Sequence, residues 1–97
     1  MTNDLPAEES QRFQIPKQVL FREVQGEGIL LHLETNAYFR LDPIGMQVWL
    51  VMQEITDFDQ IVARLLETFE ASETTVREEV GELLRHLVDH GLVEPAP

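Results

Sequence analysis

Thr35-Asn36-Ala37-Tyr38-Phe39-Arg40-Leu41-Asp42-Pro43-Ile44-Gly45-Met46-Gln47-Val48-Trp49 contains the change of period that decides the fold of this chain. From Ala37 to Leu41 the side chains alternate. Ala37, Phe39 and Leu41 fall on one side and Tyr38 and Arg40 on the other, the period of a strand. Asp42-Pro43 ends that period: an Asp N-cap accepts backbone N–H groups, and proline at the first helical position gives up no needed donor. Over Ile44 to Glu54 the apolar residues Ile44, Val48, Val51 and Met52, with Ile55 just beyond, recur at helical spacing, and Trp49 and Leu50 widen the apolar surface. The spacing predicts a well-buried helix.

Upstream of this joint, Thr35-Asn36 is a short turn, asparagine tolerating left-handed angles. In the strand before it Ile29, Leu31 and Leu33 point one way and Leu30, His32 and Glu34 the other. The more apolar set is assigned to the core and His32 to the outward face. Gln25-Gly26-Glu27-Gly28 supplies a turn after a further strand at Val19 to Val24, so three strands form a meander whose edge is Ala37 to Leu41. Downstream, Thr56 is the N-cap expected for a second helix with Asp59 three residues on, and Phe58, Ile61, Val62, Leu65, Leu66 and Phe69 form its stripe. Glu70-Ala71 breaks it. Ser72 caps a third helix bearing Val76, Val80, Leu83, Leu84, Leu87 and Val88, closed by Gly91 as a left-handed C′ residue. The expected organisation is a flexible acidic tail at 1–14, one domain at 15–94 and a frayed end at 95–97. Strands segregated from helices indicate an α+β domain, because parallel crossovers require the two to alternate.

Composition narrows the function classes. A chain of 97 residues suits one domain with a modest core. It has no cysteine, which removes disulfides, thiolate metal sites and cysteine nucleophiles and suits the cytoplasm. Neither a secretory signal nor an apolar run of roughly 20 residues is present, so no membrane association is expected. The formal net charge of -11, from 18 acidic against 7 basic residues, argues against nucleic acid, whose binders displace counterions with Lys and Arg. It favours solubility and attraction to a basic partner.

Catalytic patterns are missing. Gly26-Glu27-Gly28 lacks the Lys-Ser/Thr of a phosphate loop and the third glycine of a dinucleotide fingerprint, so its glycines are turn residues. Ser10 and Ser72 are the two serines, one in the tail and one at a cap, which gives a serine triad no place. His86 and His90 stand four apart with Glu79 and Glu82 near the same flank, a metal-like spacing. They lie beside the apolar stripe with no Glu next to His86, so a solvated face is the plainer reading. No catalytic residue, metal or cofactor is expected.

Glu34 to Trp49 resembles the PqqD family, in which a polar turn leads into an aromatic strand, then Leu-Asn/Asp, a two-residue step, Gly-Ala and an aliphatic-Trp pair on the first helix. Met46 stands where alanine is usual, and the resemblance extends over roughly residues 16 to 93. It implies a winged-helix-like α+β fold, a three-stranded antiparallel meander followed by three helices. It also implies a non-enzymatic peptide chaperone for ribosomally made, post-translationally modified peptides. The leader segment of the precursor would add as a strand to the third strand and lie in the groove against the third helix. The partner would be a modifying enzyme, a radical S-adenosylmethionine protein in pyrroloquinoline quinone biosynthesis or a leader peptidase in lasso-peptide pathways. Leu-Asp-Pro-Ile-Gly and the Gly-Leu-Val-Glu ending look more like stand-alone lasso-peptide members.

The physics of a meander supports the same site, since its edge strand has unpaired backbone groups that can bond an extended peptide. The expected contacts are Ala37, Tyr38, Phe39, Arg40 and Leu41 on the strand. On the third helix they are Val76, Arg77, Glu79, Val80, Leu83 and Leu87, with Glu79 able to meet a basic leader residue. A monomer or a weak dimer through the exposed edge is expected. A winged-helix DNA-binding regulator shares the architecture but requires a basic recognition helix, and here Arg77 and Arg85 face Glu73, Glu78, Glu79, Glu82 and Asp89.

Overall fold

A computed structural model describes residues 11–96. A short strand β1 (Arg12–Gln14) precedes β2 (Val19–Val24), β3 (Glu27–His32) and β4 (Tyr38–Leu41), which form an antiparallel sheet in the order β2-β3-β4. Three helices follow, α1 (Pro43–Met52), α2 (Phe58–Leu66) and α3 (Glu73–Asp89), and β5 (Glu94–Ala96) returns to pair with β1. The fold is α+β, with the meander before the helices as expected. Winged-helix-like describes it only loosely, because a second two-stranded sheet closes the chain ends together.

Each boundary has a local cause. Gln25 and Gly26 both take positive φ, 54° and 83°, making the two-residue turn whose twist suits a hairpin. Asp42 caps α1 with its carboxylate on the Gly45 N–H at 2.7 Å, and Ser72 caps α3 through the Thr75 N–H at 3.1 Å. The cap of α2 is Asp57, not Thr56. Its carboxylate accepts the Gln60 N–H at 3.1 Å, while the Thr56 carbonyl receives the Phe13 N–H at 3.0 Å. Thr56 thus serves β1, and an anionic cap is also the better match to the positive end of a helix. The second helix also ends earlier than its apolar stripe, at Leu66, with Phe69 packed against the core from the turn beyond.

Two expectations about the sequence are corrected. Residues 12–14 are not part of a loose tail and 95–96 are not frayed: Arg12, Phe13 and Gln14 pair with Ala96, Pro95 and Glu94. Phe13 is buried, and Phe58 N–H donates to the Gln11 carbonyl at 2.8 Å, so a single buried aromatic anchors the chain start beside α2. Residues 1–10 of the expected tail and residue 97 lie outside the described residues.

The faces of β3 are also reversed. Leu30 is completely buried and His32 is 8% exposed, whereas Leu33 is 54% exposed. The inward set is Gly28, Leu30 and His32, and the outward set is Ile29, Leu31 and Leu33. A period of two separates faces without saying which is inside. Here the choice is made by partners: a Cβ on Gly28 would come within 2.9 Å of the Phe21 ring, and Phe21 in turn stacks on the buried Trp49 with centroids 6.3 Å apart. His32 is tolerated inside because its Nδ1 accepts the N–H groups of Glu34 and Thr35 at 3.2 and 3.3 Å.

The helices cover the inner face. Trp49 and Val48 of α1, Ile61, Val62 and Leu65 of α2, and Val80, Leu84 and Leu87 of α3 meet Leu30 and Leu41 in one core, closed by Leu92 and Val93. Leu30→Ala should therefore cost about 2–5 kcal/mol of unfolding free energy, and Leu33→Ala no more than about 0.5 kcal/mol, as measured by urea denaturation. Equal costs would contradict the facing of β3.

Candidate functional site

β4 is the edge of its sheet, and α3 runs beside it across a groove of about 800 Å³. Phe39, Arg40 and Leu41 form the strand wall, Val76, Glu79, Val80 and Leu83 the helix wall, and Ile44 and Phe69 close the end near α1 and the α2–α3 turn. His32 N–H donates to the Ala37 carbonyl at 2.9 Å, and the register pairs Leu31 with Tyr38 and Leu30 with Phe39. Antiparallel alternation then turns the backbone groups of Phe39 toward β3 and leaves the N–H and C=O of Tyr38 and Arg40 on the open edge. Side chains alternate with the opposite sense: Phe39 and Leu41 face the groove side, while Tyr38 and Arg40 face the outer surface. One strand therefore offers both an apolar wall and a row of free hydrogen-bonding groups.

The groove floor is part of the core. Leu41, Val76 and Val80 line it but are buried, and the more accessible apolar contacts are half-buried Phe39 and Leu83 and exposed Ile44. The charged side chains of the lining are acidic, Asp42, Glu70, Glu79 and Glu82, while Arg40 turns its side chain to the outer face of the strand. Arg40 pairs with Glu27, and its guanidinium pKa is raised by that hydrogen bond and the adjacent negative charge. Asp42 is occupied by the helix cap.

Of the eleven residues expected at a peptide site, seven line this groove: Phe39, Arg40, Leu41, Val76, Glu79, Val80 and Leu83. Four do not. Ala37 precedes β4 against the core, Tyr38 faces outward, and Leu87 is wholly buried. Arg77 lies on the other side of α3, bound to Asp59 at 2.8 Å and Glu73 at 2.9 Å and set over the Phe58 ring at 5.7 Å. Its pKa is raised by Glu73 first and Asp59 second. It ties α3 to α2 instead of reaching the groove, because a step of one from Val76 turns a helical side chain by about 100°.

Sequence reasoning missed Ile44, Phe69, Thr75, Glu82 and His86 as lining residues. Glu82 and His86 are legible three residues beyond the wall positions Glu79 and Leu83, and Thr75 four residues before Glu79. Ile44 carried no signal, since it matched the helical stripe and yet is 51% exposed. Among the described residues no three His, Asp or Glu side chains converge to hold a metal. His90 Nδ1 lies 2.7 Å from the His86 carbonyl, which can only accept, so that nitrogen carries the proton. The His90 ring packs edge-on to Phe39 with centroids 5.6 Å apart.

The sequence profile of Coenzyme PQQ synthesis protein D (PqqD) matches residues 27–93. The chain belongs to the PqqD family. Within this PqqD-family chain the matched region runs from β3 through α3 and holds both walls of the groove. The solved structure of TbiB1 in complex with the TbiA(beta) leader peptide is 28% identical, with a TM-score of 0.78 over 87% of this chain and 98% of that one. Lasso peptide synthetase B1 complexed with the leader peptide is 14% identical, with a TM-score of 0.76 over 87% and 99%, and shows the shared fold. No curated protein matches the chain.

Asp42 is the hinge between the groove's strand wall and α1, and Asp42→Ala should cost about 0.5–2 kcal/mol through loss of the cap. Urea denaturation measures it, and Asp42→Asn should recover most of the loss.

Proposed function

We propose that this PqqD-family chain binds the leader segment of a ribosomally made precursor peptide as an extra strand on β4 and presents the precursor to a separate enzyme, without catalysing a reaction itself. The carrying observation is the open edge of β4 beside a groove lined by Phe39, Ile44 and Leu83. Backbone pairing to the edge supplies affinity that is independent of sequence, and the groove selects every second side chain of the added strand. Phe39, Leu41, Val76, Val80 and Leu83 form the floor and walls, with Glu79 placed for a basic leader residue. The N–H and C=O of Tyr38 and Arg40 form the ladder.

The leader complexes of TbiB1 and of lasso peptide synthetase B1 support a lasso-peptide pathway, in which the enzyme served is a leader peptidase. The family name supports pyrroloquinoline quinone biosynthesis with a radical S-adenosylmethionine enzyme as the second reading. We place the chain in the cytoplasm on its lack of cysteine, and no helix among the described residues is long and apolar enough to cross a membrane. A DNA-binding role is disfavoured by α3, whose Arg77 is held by Asp59 and Glu73 and whose exposed surface is acidic.

A fluorescent leader peptide titrated against the full chain, with duplex DNA as control, tests the reading. Saturable binding to peptide and none to DNA is expected. Arg40→Pro removes an edge donor while leaving the β3–β4 ladder intact, and should weaken the peptide about tenfold, the loss of one hydrogen bond that is shielded from water. Arg40→Ala should stay within about threefold of the parent, since the backbone donor is retained. Equal affinity in a folded Arg40→Pro variant contradicts strand addition.

A further inference from the structure

Residues 33–37 join β3 to β4, and most of their backbone N–H groups end on one residue. The His32 carbonyl accepts the Asn36 N–H at 2.8 Å, and His32 Nδ1 accepts those of Glu34 at 3.2 Å and Thr35 at 3.3 Å. Leu33 N–H goes back to the Gln18 carbonyl at 2.8 Å, and Ala37 N–H to Thr35 Oγ1 at 3.2 Å. His32 N–H in turn donates to the Ala37 carbonyl at 2.9 Å, so Asn36 and Ala37 together oppose this single residue. That arrangement is a bulge, with Asn36 at φ 63° in the left-handed position that glycine usually takes. Asparagine adopts that angle at a cost, which the bonds gathered by His32 offset.

The bulge decides how β4 begins. In an antiparallel pair a shift of one residue carries every side chain to the opposite face. In the observed register Phe39 and Leu41 turn to the groove, and the N–H and C=O of Tyr38 stand on the open edge. One step of slip would set Tyr38 and Arg40 over the groove and give the open edge to the backbone groups of Phe39 instead. β4 is four residues long, and buried Leu41 holds its α1 end. At the other end Ala37 is only half-buried and Tyr38 is exposed, so neither is a comparable anchor. The buried residue at that end is His32, across the bulge.

We infer that His32 is a positioning residue for leader binding: by holding the Glu34 and Thr35 amides, its side chain sets the register in which Tyr38 meets the added strand. The inference rests on the strand addition proposed above. His32 lies on the inward face of β3 and outside the groove, so it acts through the turn and not by touching the peptide. The peptide ladder then has a support at each end of β4, the helix cap beyond Leu41 and the histidine-held turn before Tyr38.

The test titrates the fluorescent leader peptide against the full chain and its variants His32→Asn, His32→Gln and His32→Leu, and follows amide hydrogen exchange in each complex. Asparagine carries a carbonyl oxygen as many bonds from the backbone as Nδ1, glutamine moves it one carbon farther, and leucine has none. The Asn variant should bind leader within about threefold of the parent, and the Gln and Leu variants should lose about tenfold, the worth of one shielded hydrogen bond. Leader should protect the Tyr38 and Arg40 amides in the parent and in the Asn variant. With Gln or Leu, Tyr38 should lose that protection while Arg40, beside the Leu41 anchor, keeps its own. Folded Gln and Leu variants with parental leader affinity and parental Tyr38 protection overturn the inference, whatever their loss of stability. Equal losses in the Asn and Gln variants overturn it as well, because the position of the acceptor would then be immaterial. The Gln variant, which keeps a polar group, decides the matter where the Leu variant does not fold. A parent that binds no leader removes the proposed function and this inference with it, whereas a parent that binds beside indifferent variants removes the inference alone.

Discussion

Between β4 and α1 the carboxylate of Asp42 accepts the Gly45 N–H at 2.7 Å, and Pro43 takes the helix position that needs no donor. This joint makes the sheet and the helical layer share a core. The chain turns so tightly that a Cβ on Gly45 would meet Asp42 Oδ1 at 3.2 Å and Leu41 Cδ2 at 3.3 Å, so glycine there allows Leu41 to sit against the start of the helix. With Leu41 held, β4 is anchored at its end and α1 delivers Val48 and Trp49 under the sheet. The groove exists because α3 packs across the same core while β4 stays an edge.

An open strand edge is a hazard for a small protein, because any other strand can pair with it. Several features limit that hazard here. β4 is four residues long, one of its outward side chains is the charged Arg40, and the chain's formal net charge of -11 opposes its own association. The acidic wall of the groove admits a cationic or neutral strand more readily than another copy of this chain. Keeping the edge usable while preventing indiscriminate pairing is the physical demand on a recognition module of this kind.

The two sides of α3 divide the labour between structure and site. Arg77, with Asp59, Glu73 and Phe58, locks the helix to α2 on one side, and exposed ion pairs of this kind hold orientation more than they add stability. On the other side Glu79 and Leu83 stand over buried Val76 and Val80 with no covering element among the described residues. At the far end, β1 and β5 hold the chain start against the α1–α2 connection through the backbone bonds of Phe13 and Phe58. The two-stranded sheet is thus joined to the helices by these backbone bonds and buried Phe13, without a core of its own.

The sequence by itself determined the order of elements, the joint at Asp42-Pro43, the caps at Asp42 and Ser72, and the edge strand with its helical neighbour. Those features depend on signals within a few residues: a capping side chain, a proline, a change of period from two to 3.6. It did not determine which face of β3 is inside, because Ile29, Leu31 and Leu33 are as apolar a set as a core requires. The contacts that reversed the reading are with Phe21 and Trp49, and with the turn amides that satisfy His32. Nor did it show that Phe13 anchors a strand pairing Arg12–Gln14 with Glu94–Ala96, a contact between segments some eighty residues apart with no local mark in either. Local chemistry sets where elements begin and end, whereas the side of an element that is buried depends on what the rest of the chain brings against it, and only the tertiary structure decided that.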